Sequence, residues 1–318
     1  MTDEFNRRAF LRVSASGLAG FALQRQITPA QEKADDKKPT QFQIACMTLP
    51  YSQFSLERSL TGLKSAGYKY IAWGTSHKEA DGKSVPVLAN DAPPEKAKEL
   101  AKKCRDLGLE PLMMFSNIYP ENPKGFEVLK QRLLQAGAAG VPHVLTFGHT
   151  KGGNRALWIE RFKQLAPIAK DNNVLLVVKQ HGGETGTGAV CAEITREVNH
   201  PNIKVNYDAG NVMDYLQEKV DPIEDFKKCA DEVRSFCIKD HRNFPKGPDK
   251  GQDCGPGFGQ IDHWKLLQPV AFTGLAMPLC CENISAPFVP RPKDPEGVDA
   301  LARRAREFLE VVIQGLQS

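Results

Sequence analysis

The sequence predicts a single-domain α/β protein that folds as a (β/α)8 barrel. Three observations support this prediction. Short apolar runs alternate with amphipathic segments from Phe42 to the C-terminus, and such strict alternation is typical of a parallel sheet. There are eight of these units, which is the number that closes a barrel. No G-x-G-x-x-G motif follows the first predicted strand, which disfavours the competing prediction, an open doubly wound sheet.

The predicted strands are short apolar runs, and the predicted helices have recognisable ends. The fifth strand is the clearest, because an unbroken apolar run from Val174 to Val178 is followed at once by polar residues, as in a strand buried on both faces. Gly67 and Gly108 end the first two helices, which is common at helix C-termini. The predicted strands are 42–48, 68–73, 109–115, 141–147, 174–178, 203–207, 233–238 and 275–281. The predicted helices are 55–66, 94–107, 126–138, 154–171, 190–198, 222–231, 262–267 and 297–316, and the longest predicted loops are 75–92 and 241–260.

The first 30 residues are predicted to be an export signal. Paired arginines at positions 7 and 8 precede a weakly apolar run at 13–23, an order that resembles the twin-arginine signal. The apolar run is too short to span a bilayer. A charged linker is predicted at 31–41 and the barrel at 42–318. We therefore expect a periplasmic or other extracytoplasmic protein. An uncleaved signal that stays as an anchor and a random basic start are the alternatives.

Composition narrows the function classes. The formal net charge is +4, and the basic residues are spread along the chain, so neither nucleic acid nor an anionic membrane is indicated as a partner. Eight cysteines occur without a C-x-x-C pair, a pattern that gives no zinc framework. Most of them fall inside predicted strands and helices, where free cysteine behaves as a small apolar residue.

Chemically active side chains follow five consecutive predicted strands. The active site of a (β/α)8 barrel lies at the C-terminal ends of its strands, so these side chains are expected to face one another. One polar strand end carries little information, but five in register indicate a functional site. The side chains are His149 after the fourth strand; Lys179 and His181 after the fifth; Asp208 and Asn211 after the sixth; Lys239, Asp240 and His241 after the seventh; and Glu282 after the eighth.

Lys179 is the most informative of these residues. A lysine at the end of a buried strand is costly unless it meets carboxylates, and Asp208 and Glu282 are the candidates. One hypothesis is that Asp208, Glu282 and one or two histidines hold a divalent cation. The other is that Lys179 itself supplies the positive charge that neutralises the two carboxylates. Either arrangement would stabilise an enediolate, the intermediate of proton abstraction next to a carbonyl.

Several short motifs resemble those of the xylose isomerase-like TIM-barrel superfamily, and most closely those of its sugar phosphate isomerase/epimerase branch. No single motif is decisive, but their order and spacing from Phe42 to the C-terminus are fairly specific for the fold. The motifs are Ser55-Leu56-Glu57, Ala66-Gly67-Tyr68, His181-Gly182-Gly183, Asp208-Ala209-Gly210-Asn211, Ile238-Lys239-Asp240, Gly257-Phe258-Gly259-Gln260-Ile261-Asp262 and Glu282-Asn283. The resemblance implies a TIM barrel and an isomerase or epimerase that acts on a carbohydrate.

The resemblance also implies one divalent metal, Mn, Mg, Co or Zn, held by Glu, Asp, His and Glu from strands five to eight. Asp208 matches the Asp, and Glu282 matches the last Glu. Lys179 stands where the first Glu is expected, and Cys237 stands where the His is expected, with His241 close by. In the family the two Glu act as acid and base on opposite faces of a ketose. The replacement at Lys179 puts both the metal and this paired mechanism in question.

The leading hypothesis is an exported sugar isomerase or epimerase that abstracts a proton next to a sugar carbonyl. Its expected partner is a small-molecule carbohydrate, with no nucleic acid and no membrane span apart from an anchor formed by an uncleaved signal. The sequence leaves the oligomeric state open. The expected roles are catalysis by Lys179 and Glu282; substrate binding by His149, His181, Asn211, Lys239 and Asp240; and metal binding by Asp208, Glu282 and His241.

Three alternatives stay open. A lyase or hydrolase on the same fold would act on 3-keto glycosides, where a proton is removed beside the ketone and the aglycone is eliminated. One base and one cation suffice for that reaction. A non-catalytic carbohydrate-binding protein on a decayed enzyme scaffold is motivated by the two substituted ligand positions. A DNA-repair endonuclease of this fold is disfavoured, because it would need more histidine and acidic metal ligands.

Overall fold

Eight parallel strands close into a barrel in the computed structural model, which describes residues 38–216, 219–242, 252–287 and 290–318. Each barrel strand pairs with the next one along the chain, and the last strand pairs with the first. The predicted (β/α)8 barrel is thus confirmed. The strands are β1 (Gln41–Met47), β2 (Tyr70–Trp73), β3 (Glu110–Phe115), β4 (His143–Phe147), β5 (Leu175–Lys179), β6 (Ile203–Tyr207), β7 (Val233–Ile238) and β8 (Ala276–Cys281).

Helices connect consecutive strands and cover the outside of the barrel. The helices are α1 (Leu56–Ser65), α2 (Pro94–Asp106), α3 (Gly125–Ala139), α4 (Arg155–Asp171), α5 (Gly188–Val198), α6 (Ala209–Tyr215), α7 (Pro222–Lys227), α8 (His263–Leu267) and α9 (Pro295–Gln317). Short 3-10 turns lie at Leu49–Tyr51 and Gln268–Val270. The C-terminal helix α9 closes the outer ring, because Asp299 accepts a hydrogen bond of 2.7 Å from Arg58 of α1.

Three details differ from the predicted elements. Helix α6 occupies a region predicted as loop, and its seven residues are too few to show a clear helical period. The helix predicted at 222–231 already ends at Lys227. The two longest predicted loops contain antiparallel hairpins, whose three-residue strands are too short to reveal an alternating pattern. The first hairpin pairs Ser76–Lys78 with Ser84–Pro86, and the second pairs Asp240–Arg242 with Gln252–Cys254.

The barrel wall separates two apolar cores. On β5, Leu176 and Val178 point outward and pack under the helices, whereas Val177 points inward and fills the barrel. On β8, Cys280 faces the interior and Cys281 faces the helices, as the alternation of side chains along a strand requires. The alternation therefore decides which side chains reach the mouth of the barrel.

The N-terminal predictions lie largely outside the described residues. These are the export signal at 1–30 and most of the linker at 31–41. The first barrel strand begins at Gln41, one residue before the predicted start of the barrel. Within the ranges given above, no helix combines the length and the apolar character needed to cross a membrane.

Candidate active site at the mouth of the barrel

Four charged side chains enter the mouth of the barrel from neighbouring strands, and we call them the charged cluster. Val177 of β5 faces the interior, so Lys179, two residues further on, faces the interior as well. The same alternation directs Asp208 after β6, Lys239 after β7 and Glu282 after β8 inward. Lys179, Asp208 and Lys239 are buried, whereas the side chain of Glu282 is 14% exposed. Glu282 is therefore the most accessible member of the cluster.

The Lys179 ammonium lies between the two carboxylates. Its Nζ is 2.9 Å from each carboxylate oxygen of Glu282 and 3.2 Å from Oδ2 of Asp208. The contact with Asp208 is an ion pair without hydrogen-bond alignment. The rings of Phe115 and Phe147 flank the ammonium, with centroids 5.5 and 5.7 Å from Nζ, a distance that permits cation–π attraction. An ammonium has three donors, and here three carboxylate oxygens surround it.

Lys239 is the second cation of the charged cluster. Its Nζ lies 2.5 Å from Oδ1 of Asn211 and 2.7 Å from Oδ2 of Asp253. It is also 3.8 Å from the carboxylates of both Asp208 and Glu282. Asn211 and Asp253 therefore fix Lys239 at the edge of the cluster, where it adds positive charge near both acids.

The close charges shift the pKa values in the cluster. Burial disfavours a charged lysine, but Glu282 and Asp208 outweigh it and raise the pKa of Lys179 well above its usual value. Burial also disfavours the ionised form of Glu282, yet Lys179 and Lys239 lower its pKa to about 2. For Asp208, which is completely enclosed, burial dominates and raises the pKa to about 6. At neutral pH the cluster therefore contains two ammonium groups and an ionised Glu282.

His181 belongs to an aromatic wall beside the charged cluster. Its Nδ1 donates a hydrogen bond of 2.8 Å to the main-chain oxygen of Gly148, because a carbonyl oxygen can only accept. Burial, followed by the charge of Lys179, lowers the pKa of His181 to about 4. Its ring centroid lies 4.5 Å from that of Phe147 and 5.0 Å from that of Tyr215. The neutral ring therefore presents Nε2 as a hydrogen-bond acceptor.

Asp240 differs from the other predicted substrate-binding residues. It is fully buried and accepts hydrogen bonds from the main-chain N–H groups of His241, Gly257 and Ile261 at 2.9, 3.0 and 3.0 Å. Gly259 packs so closely that a Cβ there would lie 2.2 Å from Oδ1 of Asp240. The Asp240 carboxylate thus holds the segment that follows the second hairpin, and a substrate would have to compete with these three donors.

Two of the predicted site histidines contact residues outside the charged cluster. His149 is exposed, and its ring stacks on Tyr119 with the centroids 3.7 Å apart. The Nδ1 of His241 donates to Oδ1 of Asp253 at 3.1 Å. His241, Asp253 and Asp214 form one group of potential metal ligands, which is separate from the group that contains Asp208 and Glu282.

The charged cluster does not fit the divalent metal that the family resemblance implies. Potential ligand atoms of Asp208, Cys237 and Glu282 do converge, within 4.8 Å of one another. However, the ammonium of Lys179 already lies within 3.2 Å of both carboxylates, and that of Lys239 lies within 3.8 Å. Burial raises the pKa of Cys237 well above its usual value, so this ligand is a thiol rather than the thiolate that metals prefer. A divalent cation would face two ammonium groups and only two anionic ligands.

Several residues at the mouth of the barrel had not been expected from the sequence. Asp253 pairs with both Lys239 and His241, but in the sequence it lies in a stretch rich in glycine and proline that also contains Asp249. Tyr215 lies on the unpredicted helix α6. Phe147 could be identified from the sequence, because it ends the predicted strand that precedes the strand of Lys179. In the structure the two residues pair in register. Neighbouring strand ends in register therefore predict more of this wall than the motifs do.

Comparison with known proteins identifies the fold. A family model described as Xylose isomerase-like TIM barrel matches residues 60–310. No curated protein gives a significant match to the chain. Many solved structures do match, at low sequence identity and over most of the described barrel.

Three of these solved structures show the range of the fold. A xylose isomerase-like TIM barrel protein from Mycobacterium smegmatis in complex with magnesium has a TM-score of 0.65 and 16% identity, covering 88% of this chain and 98% of that chain. An L-ribulose 3-epimerase has a TM-score of 0.62 and 18% identity, covering 86% and 95%. The probable 3-DHS dehydratase from Bacillus anthracis has a TM-score of 0.59 and 14% identity, covering 84% and 98%. At these identities the similarity is one of fold.

Proposed function

Because the chain belongs to the xylose isomerase-like TIM barrel family, we propose that it is an enzyme that abstracts a proton next to the carbonyl of a sugar. Return of the proton to the opposite face gives an epimer, and its return to the neighbouring carbon gives an isomer. The solved structures that share the fold include an L-ribulose 3-epimerase and a probable 3-DHS dehydratase. These relatives support the general kind of enzyme, and the charged cluster supports the chemistry.

The position of the Lys179 ammonium between Glu282 and Asp208 carries this proposal. Proton abstraction next to a carbonyl produces an enediolate, and a fixed positive charge in a site that excludes water stabilises it strongly. Lys179 is buried, and its raised pKa keeps it charged at neutral pH. Its ammonium is held by two carboxylates at 2.9 and 3.2 Å. It therefore supplies the charge that would otherwise come from a metal ion.

Glu282 acts as the base in this proposal. It is ionised, because its pKa is lowered to about 2, and it is the most accessible acid of the charged cluster. Glu282 accepts from Lys179 through both of its oxygens, and Oδ2 of Asp208 lies 3.2 Å from the same ammonium. A substrate oxygen that binds the ammonium must therefore displace a carboxylate oxygen. When it replaces an oxygen of Glu282, part of the interaction that lowers the pKa of Glu282 is lost. The pKa then rises towards the range in which a carboxylate is an effective base.

The surrounding side chains orient the sugar. Lys239 and Asn211 present a cation and an amide at the edge of the cluster, 2.5 Å apart. The neutral imidazole of His181 presents an acceptor for a hydroxyl group. The rings of Phe147 and Tyr215 beside it form an apolar surface of the kind on which a sugar ring packs. These groups bind the hydroxyl groups and the ring of the sugar, while Lys179 and Glu282 act on its carbonyl region.

Elimination from a keto glycoside is the second candidate reaction. The observation that favours it is Lys179, which stands where the family resemblance implies a glutamate. Glu282 therefore lacks the partner carboxylate of a symmetric acid–base pair. In this reaction Glu282 would take the proton beside the ketone. The resulting electron pair would form a carbon–carbon double bond while the bond to the aglycone oxygen breaks, and protonated Glu282 would pass its proton to that oxygen. One base and the Lys179 cation suffice.

We expect Glu282→Gln to slow proton exchange by about 100- to 10,000-fold, the usual contribution of a general base. The substitution keeps the shape of the side chain but removes its basic oxygen. The measurement is incorporation of deuterium from deuterated water into a panel of ketohexoses and methyl 3-ketoglucosides, followed by NMR and mass spectrometry. If the wild type exchanges no proton in any sugar of the panel, the carbohydrate-binding protein is favoured over the enzyme.

Glu232→Gln provides a matched control. Glu232 accepts from the Lys204 ammonium at 3.1 and 2.9 Å, so it repeats the two-oxygen contact of the Lys179–Glu282 pair. Lys204 lies near the start of β6, whereas Asp208 follows its end. The control variant should exchange protons at the wild-type rate. Equal losses in both variants would point to a folding effect and count against Glu282 as the base.

We also propose that the paired arginines direct twin-arginine export, as the sequence predicts. In Arg7→Lys/Arg8→Lys cells, periplasmic protein should fall below one tenth of the wild-type amount while total protein is retained. Cell fractionation with immunodetection measures this, and Arg25→Lys is the control. Unchanged fractionation of the double variant would refute the export proposal without affecting the proposed chemistry.

A further inference from the structure

A cavity of about 750 Å³ opens beside the charged cluster. Part of its lining comes from the first hairpin and the segments next to it, and another part comes from the segment after β3. Ligand pockets for small molecules have volumes of about 300–1,000 Å³, so this cavity has room for a ligand portion of its own. The residues that line it are Thr75, Pro86, Ala89, Asn90, Asn117, Ile118, Tyr119, Asn122 and Phe147.

Phe147 joins this cavity to the charged cluster. Its ring lines the cavity, and the same ring lies 5.7 Å from Nζ of Lys179 and 4.5 Å from the ring of His181. Tyr119, on the cavity wall, packs edge-on against Phe147 with the centroids 5.9 Å apart. A ligand in the cavity would therefore touch the same aromatic ring that borders the reacting group.

The cavity wall is neutral, part aromatic and part amide. Among the described residues that line it, none carries a formal charge. Oδ1 of Asn117 is buried and has no hydrogen-bond partner, and the backbone of Asn117 is held at φ +57°, a conformation that is costly except for glycine and asparagine. An acceptor that is buried without a partner is costly.

Asn90 supplies a donor to the cavity lining. Its Oδ1 accepts from the guanidinium of Arg132, and a guanidinium can only donate. The amide orientation is thereby fixed, and only the NH2 group of Asn90 remains for a ligand. The lining thus offers a ligand neutral polar groups, such as the NH2 group of Asn90, and these groups suit the hydroxyl groups of a sugar ring.

Buried polar side chains of α3 hold this wall in place. Arg132 is 1% exposed, and burial lowers its pKa to about 10. It donates to the main-chain oxygen of Leu88 at 3.0 Å, and Gln135 donates to those of Ala89 and Ala92 at 3.1 and 2.8 Å. Burying an arginine among neutral oxygens costs free energy. In return, its hydrogen bonds fix this part of the cavity lining in place before a ligand binds.

We propose that this cavity binds a second, uncharged hydroxylated ring that is joined to the sugar on which the charged cluster acts. The substrate class is then a glycoside or disaccharide rather than a free monosaccharide or a sugar phosphate. This inference rests on the proposed function, because it assigns the reacting ring to Lys179 and Glu282. A phosphate group is disfavoured in the cavity, since the lining offers it no cation. A single sugar ring at the charged cluster would leave the cavity unused.

Ala89→Phe tests the proposal by filling the cavity. The main-chain oxygen of Ala89 keeps its bond to Gln135, so the wall itself is preserved. Val85→Phe is the matched control, because Val85 lies on the first hairpin, is 43% exposed and is absent from the lining.

The ligands are two pairs of sugars, and the members of each pair differ only by a glucosyl ring that replaces a hydrogen or a methyl group. They are D-fructose with isomaltulose, and methyl 3-ketoglucoside with 3-ketotrehalose. D-Fructose 6-phosphate is the charged probe.

In Ala89→Phe, kcat/KM for the two-ring probe of the responsive pair should fall about 100-fold, a loss typical of steric exclusion from a pocket. The value for its one-ring partner should stay within twofold of wild type, and Val85→Phe should leave both unchanged. Equal effects on both members, no effect on either, or a preference of the wild type for D-fructose 6-phosphate would overturn the proposal. Calorimetric measurement of the binding of the same probes tests the cavity proposal separately from the proposed proton abstraction. Selective loss of two-ring binding without any proton exchange would support the cavity as a binding site while the proposed chemistry fails.

Discussion

Lys179→Met should reduce proton exchange by at least about 1,000-fold, since removal of one stabilising donor alone typically costs 100- to 1,000-fold and this change removes a full charge. It should also destabilise the barrel by about 3–5 kcal/mol, the usual cost of removing one partner from a buried ion pair. Methionine fills a similar space but leaves Asp208 and Glu282 facing each other without a neutralising ammonium at 2.9–3.2 Å. Chemical denaturation and deuterium incorporation measure the two effects.

The dependence on pH gives the Lys179→Met variant a second readout. In the wild type, Lys179 and Lys239 lower the pKa of Glu282 from 4.5 to about 2. A carboxylate with a lowered pKa contributes stability above its ordinary pKa, and this contribution is lost as the pH falls through the folded value. The wild type should therefore lose stability between pH 4.5 and 2 through Glu282. The variant should lose less over this window, because its carboxylates protonate more readily.

Two further variants keep the Lys179 prediction decisive. Lys204→Met breaks the other two-oxygen lysine–glutamate pair and should leave proton exchange intact. If Lys179→Met does not fold, Lys179→Met/Asp208→Asn removes one of the two facing carboxylates and should recover part of the stability. Exchange should stay absent in this double variant. Wild-type exchange rates in either Lys179 variant would disprove the role of the ammonium.

Lys179→Glu should convert the charged cluster into a divalent metal site. The new carboxylate would then converge with those of Asp208 and Glu282 on the point that the ammonium occupies. The potential ligand atoms of Asp208 and Glu282 already lie within 4.8 Å of each other. Without metal the variant should be less stable than wild type, because three buried carboxylates repel one another. Saturation with Mn²⁺ or Zn²⁺ at 100 times Kd should restore about 2.7 kcal/mol. For a domain of this size that is a rise in Tm of roughly 4–5 °C.

Metal analysis by mass spectrometry and thermal melts with added MnCl2 or ZnCl2 measure this conversion. Wild type and Lys179→Met are the controls, and neither should bind metal at the cluster. Lys239 stays 3.8 Å from both carboxylates and should weaken the new site, so Lys179→Glu/Lys239→Gln should bind more tightly. Stoichiometric metal in the wild type, lost together with its exchange activity on chelation, would contradict replacement of the metal by Lys179.

The barrel could be predicted from the sequence because its signal repeats. Eight apolar runs, each with a helix signal after it, allow few other arrangements. Helix α6 escaped prediction because it depends on a single capping contact, the 2.9 Å bond from the N–H of Asn211 to Oδ1 of Asp208. The hairpins escaped prediction because their three-residue strands are too short to show an alternating pattern. Local propensity is weak evidence for elements this short.

The candidate site was predictable only as far as strand ends determine it. Alternation along the strands places Lys179, Asp208, Lys239 and Glu282 at one point, and this follows from the sequence once the register is known. The surroundings do not follow, because loop packing places them. Asp253 reaches Lys239 through the second hairpin, and nothing in the sequence distinguishes it from Asp249 of the same predicted loop.

Asp208 meets two demands with its two oxygens. Oδ1 caps helix α6 through the N–H of Asn211, and Oδ2 faces Lys179 at 3.2 Å. Asparagine would keep the cap but lose the charge, whereas glutamate would keep the charge but is poorly suited to the N-cap position. No other amino acid fulfils both requirements. The identity of this residue is therefore constrained twice over, once by the architecture of the chain and once by its chemistry, and neither constraint can be relaxed alone.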